Sequence, residues 1–138
     1  MRLRKNAKEE LIKSVPLFSH CTKREIAALA AEADELTVPQ GKELTRQGER
    51  GREFMVIVDG AAKVLKNGRT VNELGPNDFL GEIALLSDVP RTATVTTTTE
   101  TTILVLTDRA FRRVADQIPS VHSSLLAALT ARLSPDTL

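Results

Sequence analysis

The chain has 138 residues, 41% of them hydrophobic and 27% charged, which suits one domain with a real core and excludes wholesale disorder. A formal net charge of +1 and only 3% aromatic residues supply neither a basic face nor many stacking rings, so nucleic-acid binding by this chain alone is not expected. No apolar run approaches the roughly 20 residues of a membrane helix, and the single cysteine, Cys21, allows no internal disulfide and by itself no zinc site.

The basic opening, Met1 to Lys8, is not followed by the apolar stretch of a signal peptide, so a cytoplasmic protein is expected. Residues 1–33 read as a helical segment. Asn6 to Lys13 forms a short polar helix with Leu11 and Ile12 turned inward, and Val15-Pro16-Leu17-Phe18 is an apolar connector. Thr22-Lys23-Arg24-Glu25 fits a capping box: the Thr22 hydroxyl takes an amide of the first turn and Glu25 reaches back. Ile26, Leu29, Ala30 and Ala33 follow at helical spacing.

Residues 34–107 change character. Glycines punctuate short segments rich in β-branched residues: Leu36 to Val38, Phe54 to Val58, Ala62 to Leu65, Arg69 to Leu74, Thr92 to Thr97 and Ile103 to Leu106. Many short strands with glycine turns predict a β-barrel or jelly roll. Asn67-Gly68 between two such runs is a hairpin signal, because both residues tolerate positive φ. Eight of the eleven residues from Thr92 to Thr102 are threonine, read as a threonine-rich hairpin with Val95 and Ile103 to Leu106 on its core face. Residues 108–138 return to helix. Asp108 is the expected N-cap, Phe111, Val114, Ala115 and Ile118 form one stripe, and Pro119 restarts the helix. Val121, Leu125, Leu129 and Leu133 continue it until Pro135.

One irregular stretch inside the β zone carries chemistry: Gly81-Glu82-Ile83-Ala84-Leu85-Leu86, then Ser87-Asp88-Val89-Pro90-Arg91-Thr92. The first part favours a helical turn or two, and the residues before Pro90 force a loop. The chain leaves the sheet, makes a short helix and returns, bringing Arg91 back towards Gly81. That arrangement suits a phosphate. Amides at the start of the helix face outward, Gly81 has no side chain to block approach, Arg91 offers a planar fork of donors, and Thr92 adds a hydroxyl. Glu82 would repel phosphate, and makes sense as an acceptor for a sugar hydroxyl. The residues therefore ask for an anion joined to a hydroxylated sugar, which points to a ribonucleotide.

Gly-Glu-Ile-Ala-Leu followed by Pro-Arg-Thr-Ala-Thr-Val resembles the phosphate-binding cassette of cyclic nucleotide-binding domains. These occur in kinase regulatory subunits, cyclic-nucleotide-gated channels and the bacterial catabolite activator. Nearly the whole chain takes part in the resemblance, with Pro16-Leu17-Phe18, the turn glycines Gly41, Gly48 and Gly60, and Phe111 and Pro119 in matching places. The resemblance implies a mainly β fold with flanking helices: a β jelly roll (double-stranded β-helix), an N-terminal helical segment, a short cassette helix and two C-terminal helices. It also implies one domain spanning residues 1–138, non-catalytic binding of cyclic AMP or cyclic GMP, no metal or other cofactor, and coupling of ligand to C-terminal helix movement.

Site residues follow from the same resemblance. Glu82 would accept the ribose 2′-hydroxyl beside the Gly81 backbone, and Arg91 would pair with the cyclic phosphate. The Ala84 amide would point at a phosphate oxygen, with Ile83 beside it in the cassette. Thr92 would reach the phosphate or a syn guanine amino group, Val64 and Val71 would pack on the base, and Arg132 would send a side chain over it. Asn77 stands where the family usually has glycine, and asparagine tolerates the same positive φ. The implied partners are the cyclic nucleotide and an effector domain or protein the residues do not name. A homodimer is allowed, and no membrane contact is expected of this chain alone. The alternatives are a degenerate jelly roll kept for protein–protein contact and the sensor half of a catabolite-activator-like transcription regulator. Cupin-type metal chemistry would need clustered histidines, whereas His20 and His122 lie far apart in sequence.

Overall fold

The computed structural model describes residues 3–86 and 88–132, without the side chains of Ile83, Leu129, Ala131 and Arg132. It divides into a β unit, Asp34–Asp108, and a helical unit built from the segments on either side. The β unit is a jelly roll of two four-stranded antiparallel sheets. One has the order β1 (Asp34–Val38), β8 (Thr101–Thr107), β3 (Glu53–Asp59), β6 (Phe79–Leu80). The other runs β2 (Glu43–Thr45), β7 (Thr94–Thr97), β4 (Ala62–Lys66), β5 (Arg69–Leu74). Met55, Ile57, Ala62, Val95, Ile103 and Val105 come from both sheets and form a single buried cluster, the inward half of each strand's alternation.

The expected strands are present, and β2 and β6 are additions. Both are two or three residues long, too short to show a period. The β4–β5 turn is as expected, with Asn67 at φ 53 and Gly68 at φ 79. The threonine-rich segment is a correction. Its two strands lie in different sheets, so residues 98–100 are a sheet-crossing corner rather than a hairpin turn. Threonines serve the corner because their hydroxyls satisfy backbone that no ladder reaches. The Thr97 hydroxyl donates to the Pro39 carbonyl at 2.7 Å and accepts the Lys42 amide at 2.9 Å. The Thr101 hydroxyl donates to the Thr99 carbonyl at 2.9 Å and accepts the Ala61 amide at 3.3 Å. Both threonines are buried.

The helical unit contains α1 (Lys5–Ser14), a 3-10 turn at Pro16–Phe18, α2 (Lys23–Glu32), α3 and α4 (Ser120–Arg132). Helix α3 spans Asp108–Gln117, so Asp108 is its first residue rather than its cap. Phe111, Val114, Ala115, Val121 and Leu125 are buried along the expected stripes; Leu133 and Pro135 lie outside the described residues. Lys13 ties the α1–α2 connection together, donating to the carbonyls of Ser19 at 3.1 Å and Cys21 at 2.6 Å. Burial and the neighbouring Glu25 carboxylate push the Cys21 thiol up to about 11, which suits an inert packing residue.

The capping box is formed: the Thr22 amide donates to Glu25 Oε1 at 2.8 Å, and the Glu25 amide donates to the Thr22 hydroxyl at 3.2 Å. Glu25 is 1% exposed. Burial alone would raise its pKa, but the Thr22 amide and the hydroxyls of Ser124, Ser120 and Thr22 outweigh burial and hold the carboxyl below its ordinary value. A carboxyl depressed in the folded state adds stability above its unfolded pKa of about 4.3, and that contribution is lost as pH falls through the folded value. Helical circular dichroism is therefore expected to fall more steeply with acid in the wild type than in Glu25→Gln. Identical acid limbs would contradict this.

Candidate functional site

The site lies where the chain passes from one sheet to the other. Strand β6 runs antiparallel to β3, with Val56 opposite Phe79 and Met55 opposite Leu80. Asn77 enters this edge at φ 74 and its amide donates to the Ile57 carbonyl at 2.8 Å, so asparagine holds the turn. Gly81, at φ +79, turns the chain out of the sheet, a conformation that side chains disfavour. One 3-10 turn follows, Glu82–Leu85. The chain returns through Val89 and Pro90, and β7 begins at Thr94.

Arg91 is held from several sides by the 48–53 segment. Its amide donates to the Glu49 carbonyl at 2.8 Å, and its own carbonyl accepts the Gly48 amide at 2.9 Å. Its guanidinium donates from Nη2 to the Glu53 carbonyl at 2.6 Å. Arg50 pairs with Pro90 as an isolated bridge and forms an ion pair with Asp88. The guanidinium occupies the space that a Cβ would take at both Gly51 and Gly81. Nε is buried without a hydrogen-bond partner. No carboxylate lies within ion-pair distance of this guanidinium among the described residues. Burial lowers its pKa, while the carboxylates of Glu53 and Glu82 pull it upward; a guanidinium keeps its charge through such shifts.

A cavity of about 330 Å³ opens beside it, within the ~300–1,000 Å³ typical of small-molecule sites. It gathers Gly81, Glu82, Ala84, Arg91, Thr92 and Val64. Leu74 and Val95 add apolar wall. Two of the expected residues stand differently in the structure. Val71 is 56% exposed on β5 and does not line the cavity; the β4–β5 register shifts between Val64 and Leu65 and passes over it, with Val64 opposite Asn72 and Leu65 opposite Thr70. The Ala84 amide is not free: it donates to the Gly81 carbonyl at 3.0 Å, closing the 3-10 turn. Ile83 is part of that turn, but its side chain lies outside the described residues, as does that of Arg132 in α4.

Two residues that hold Arg91 were not read from the sequence. Gly51 gives the guanidinium its seat and Glu53 gives it a carbonyl. The visible signal was a glycine three residues after Gly48 with no strand turn to explain it. A larger hollow of about 790 Å³, lined by Lys42, Arg46, Arg50 and Gly51, also touches Arg91. Arg46 there is already paired with Glu43 and Glu49, and Arg50 with Asp88. The smaller cavity is the better ligand site, because it alone joins Arg91 to Glu82 and an apolar wall.

A family model described as the cyclic nucleotide-binding domain matches residues 35–118. The chain belongs to the cyclic nucleotide-binding domain family. It is 35% identical over 118 residues to a cAMP-dependent protein kinase regulatory subunit of Dictyostelium discoideum, a match covering 80% of this chain and 36% of that protein. It is 33% identical over 93 residues to a cGMP-dependent protein kinase of Plasmodium berghei, covering 67% of this chain and 11% of that one. Among solved structures, the N-terminal domain of a transcriptional regulator from Streptomyces coelicolor A3(2) superposes with a TM-score of 0.80 at 30% identity, covering 89% of this chain and 91% of the other. The chain thus spans about a third or less of these curated kinase relatives, as a cyclic nucleotide-binding domain of regulatory type. No helix among the described residues is long and apolar enough to cross a membrane.

Proposed function

We propose that this domain binds cyclic AMP or cyclic GMP in the 330 Å³ cavity, releases it unchanged, and passes the binding event to its C-terminal helices. One observation carries the reading: a half-buried guanidinium without a carboxylate partner shares a small, part-apolar cavity with Glu82. A buried polar nitrogen without a partner costs about 1–3 kcal/mol, and a phosphate monoanion meeting the guanidinium would offset that penalty. Glu82 takes the ribose, Thr92 supplies a hydroxyl, and Val64, Leu74 and Val95 receive the base. The effector that reads the bound state acts in the cytoplasm and is a protein or domain of unassigned identity.

Coupling has a route in the β unit. Arg52 follows Gly51, and its carbonyl accepts the amide of Asp108 at 2.8 Å. The Arg52 guanidinium lies 3.6 Å from the Asp108 carboxylate. Asp108 is the first residue of α3, so the segment that seats Arg91 is bonded to the start of a C-terminal helix. A ligand that favours one arrangement of this segment shifts the population of the helix it holds.

Thermal shift with cyclic AMP and cyclic GMP tests binding, and chromatography of the recovered ligand tests that it is not hydrolysed. A raised Tm with intact ligand is expected, and an unmoved Tm with both nucleotides at millimolar concentration would overturn the reading. Glu82 has its own test. Glu82→Ala is expected to lose most of the preference for cyclic AMP over its 2′-deoxy analogue, measured as a ratio of Kd values. A preference equal to that of the wild type would remove Glu82 from the sugar.

A further inference from the structure

Gln47 joins the two ends of the cavity from outside it. Its side-chain amide makes a reciprocal pair with the β4–β5 turn: Nε2 donates to Asn67 Oδ1 at 3.0 Å, and Oε1 accepts the Asn67 amide at 2.9 Å. A carboxamide carries a donor and an acceptor on one planar head, and this pairing uses both. The main-chain amide of Gln47 donates to the Thr94 hydroxyl at 3.0 Å. Thr94 is the first residue of β7 and lies opposite Leu65 of β4. The next residue, Gly48, donates its amide to the Arg91 carbonyl at 2.9 Å. Gln47 and its neighbour thus bond the tip of the β4–β5 hairpin, the start of β7 and Arg91. Cavity-lining groups sit beside these anchor points: Val64 on β4, Val95 next to Thr94, and Arg91 itself. Strand pairing is irregular on both sides, with the β2–β7 register shifting between Glu43 and Thr45 and the β4–β5 register between Val64 and Leu65.

We infer that Gln47 is a positioning residue for the ligand, fixing the span between Arg91 at the phosphate end of the cavity and Val64 at the base end. The inference rests on the cyclic nucleotide reading of the site. Gln47 is not among the described residues lining the cavity, so it acts through the residues it holds. A ring-closed nucleotide is stiff, and one that reaches from a guanidinium to an apolar wall makes both contacts only at one separation. Binding groups keep such a separation when outer hydrogen bonds and packing hold them. Where the ladders shift register, regular strand pairing does not supply that support, and the Gln47–Asn67 pair and the Thr94 hydroxyl do.

Calorimetric titration of the 138-residue chain tests it, with whichever of cyclic AMP and cyclic GMP the wild type binds more tightly, alongside thermal unfolding. Gln47→Glu keeps both bonds once the Asn67 side-chain amide turns over to donate, and Asn67→Asp keeps both as they stand. Each is expected to retain binding within about threefold of the wild type, whereas Gln47→Glu/Asn67→Asp sets two carboxylates against each other and should bind at least about tenfold more weakly. The field of the added charges alone would give two losses that simply add. A second cycle separates positioning from a role in the fold. Gln47→Ala should weaken binding about fivefold in the wild type and less than about twofold in Val64→Ala, where the contact it places is already gone. Losses that add in this second cycle, or a folded double variant that binds like the single ones, overturn the role of Gln47 and leave the ligand reading intact. A wild type that binds neither nucleotide overturns both. Should the carboxylate pair fail to fold, the cycle with Val64→Ala decides.

Discussion

Replacing Arg91 with alanine is expected to weaken cyclic nucleotide binding by about 2–5 kcal/mol, the range for truncating one partner of a buried charge contact. No other cation takes its place in the cavity: Arg91 is the only lysine or arginine among its described lining residues. Arg91→Lys should recover only part of the loss, because an ammonium cannot present two parallel donors. The fold should tolerate both changes. The main-chain bonds of Arg91 to Gly48 and Glu49 do not need its side chain, and only the Nη2 bond to Glu53 is removed. Titration calorimetry alongside thermal unfolding separates the two effects. A variant that unfolds like the wild type and binds as tightly would remove Arg91 from the ligand.

Gly51→Ala is expected to impair binding while leaving Arg91 in the sequence. The backbone at Gly51 lies outside the left-handed range, so alanine adds no strain there, but its Cβ would overlap the guanidinium. Arg91 must then leave its seat and its bond to Glu53. A loss of tenfold or more is expected, ~1.4 kcal/mol or above. Gly75→Ala is the control, since nothing lies within 4 Å of a Cβ at that position and its backbone is also outside the left-handed range. Equal affinity in Gly51→Ala and Gly75→Ala would show that the seat does not matter.

These two predictions also mark what the sequence could show. The cassette was legible because its parts are close in the chain: Gly81, Glu82, Arg91 and Thr92 fall within twelve residues, and a turn with a proline-forced return brings them together. Asn67-Gly68 was legible for the same local reason. Gly51 was not, because its role comes from a side chain 40 positions away that arrives only when the 48–53 segment pairs with the cassette exit. The threonine segment misled because alternation describes each strand's two faces and says nothing of which sheet the strand joins. The expectation for Val71 came from the resemblance alone, which carries no sign of the register shift between Val64 and Leu65 that passes over it. The capping box of α2 was read correctly from Thr22 and Glu25, yet the two serines that complete the carboxylate's surroundings lie at the other end of the chain.

The most direct measurement is a calorimetric titration of the wild-type domain with cyclic AMP and cyclic GMP, with adenosine 5′-monophosphate as the open-chain control. Saturable one-to-one binding of at least one cyclic nucleotide, and much weaker binding of the open-chain nucleotide, is the predicted result. Absence of heat and of competition with all three, in a sample whose circular dichroism shows it folded, would contradict the account.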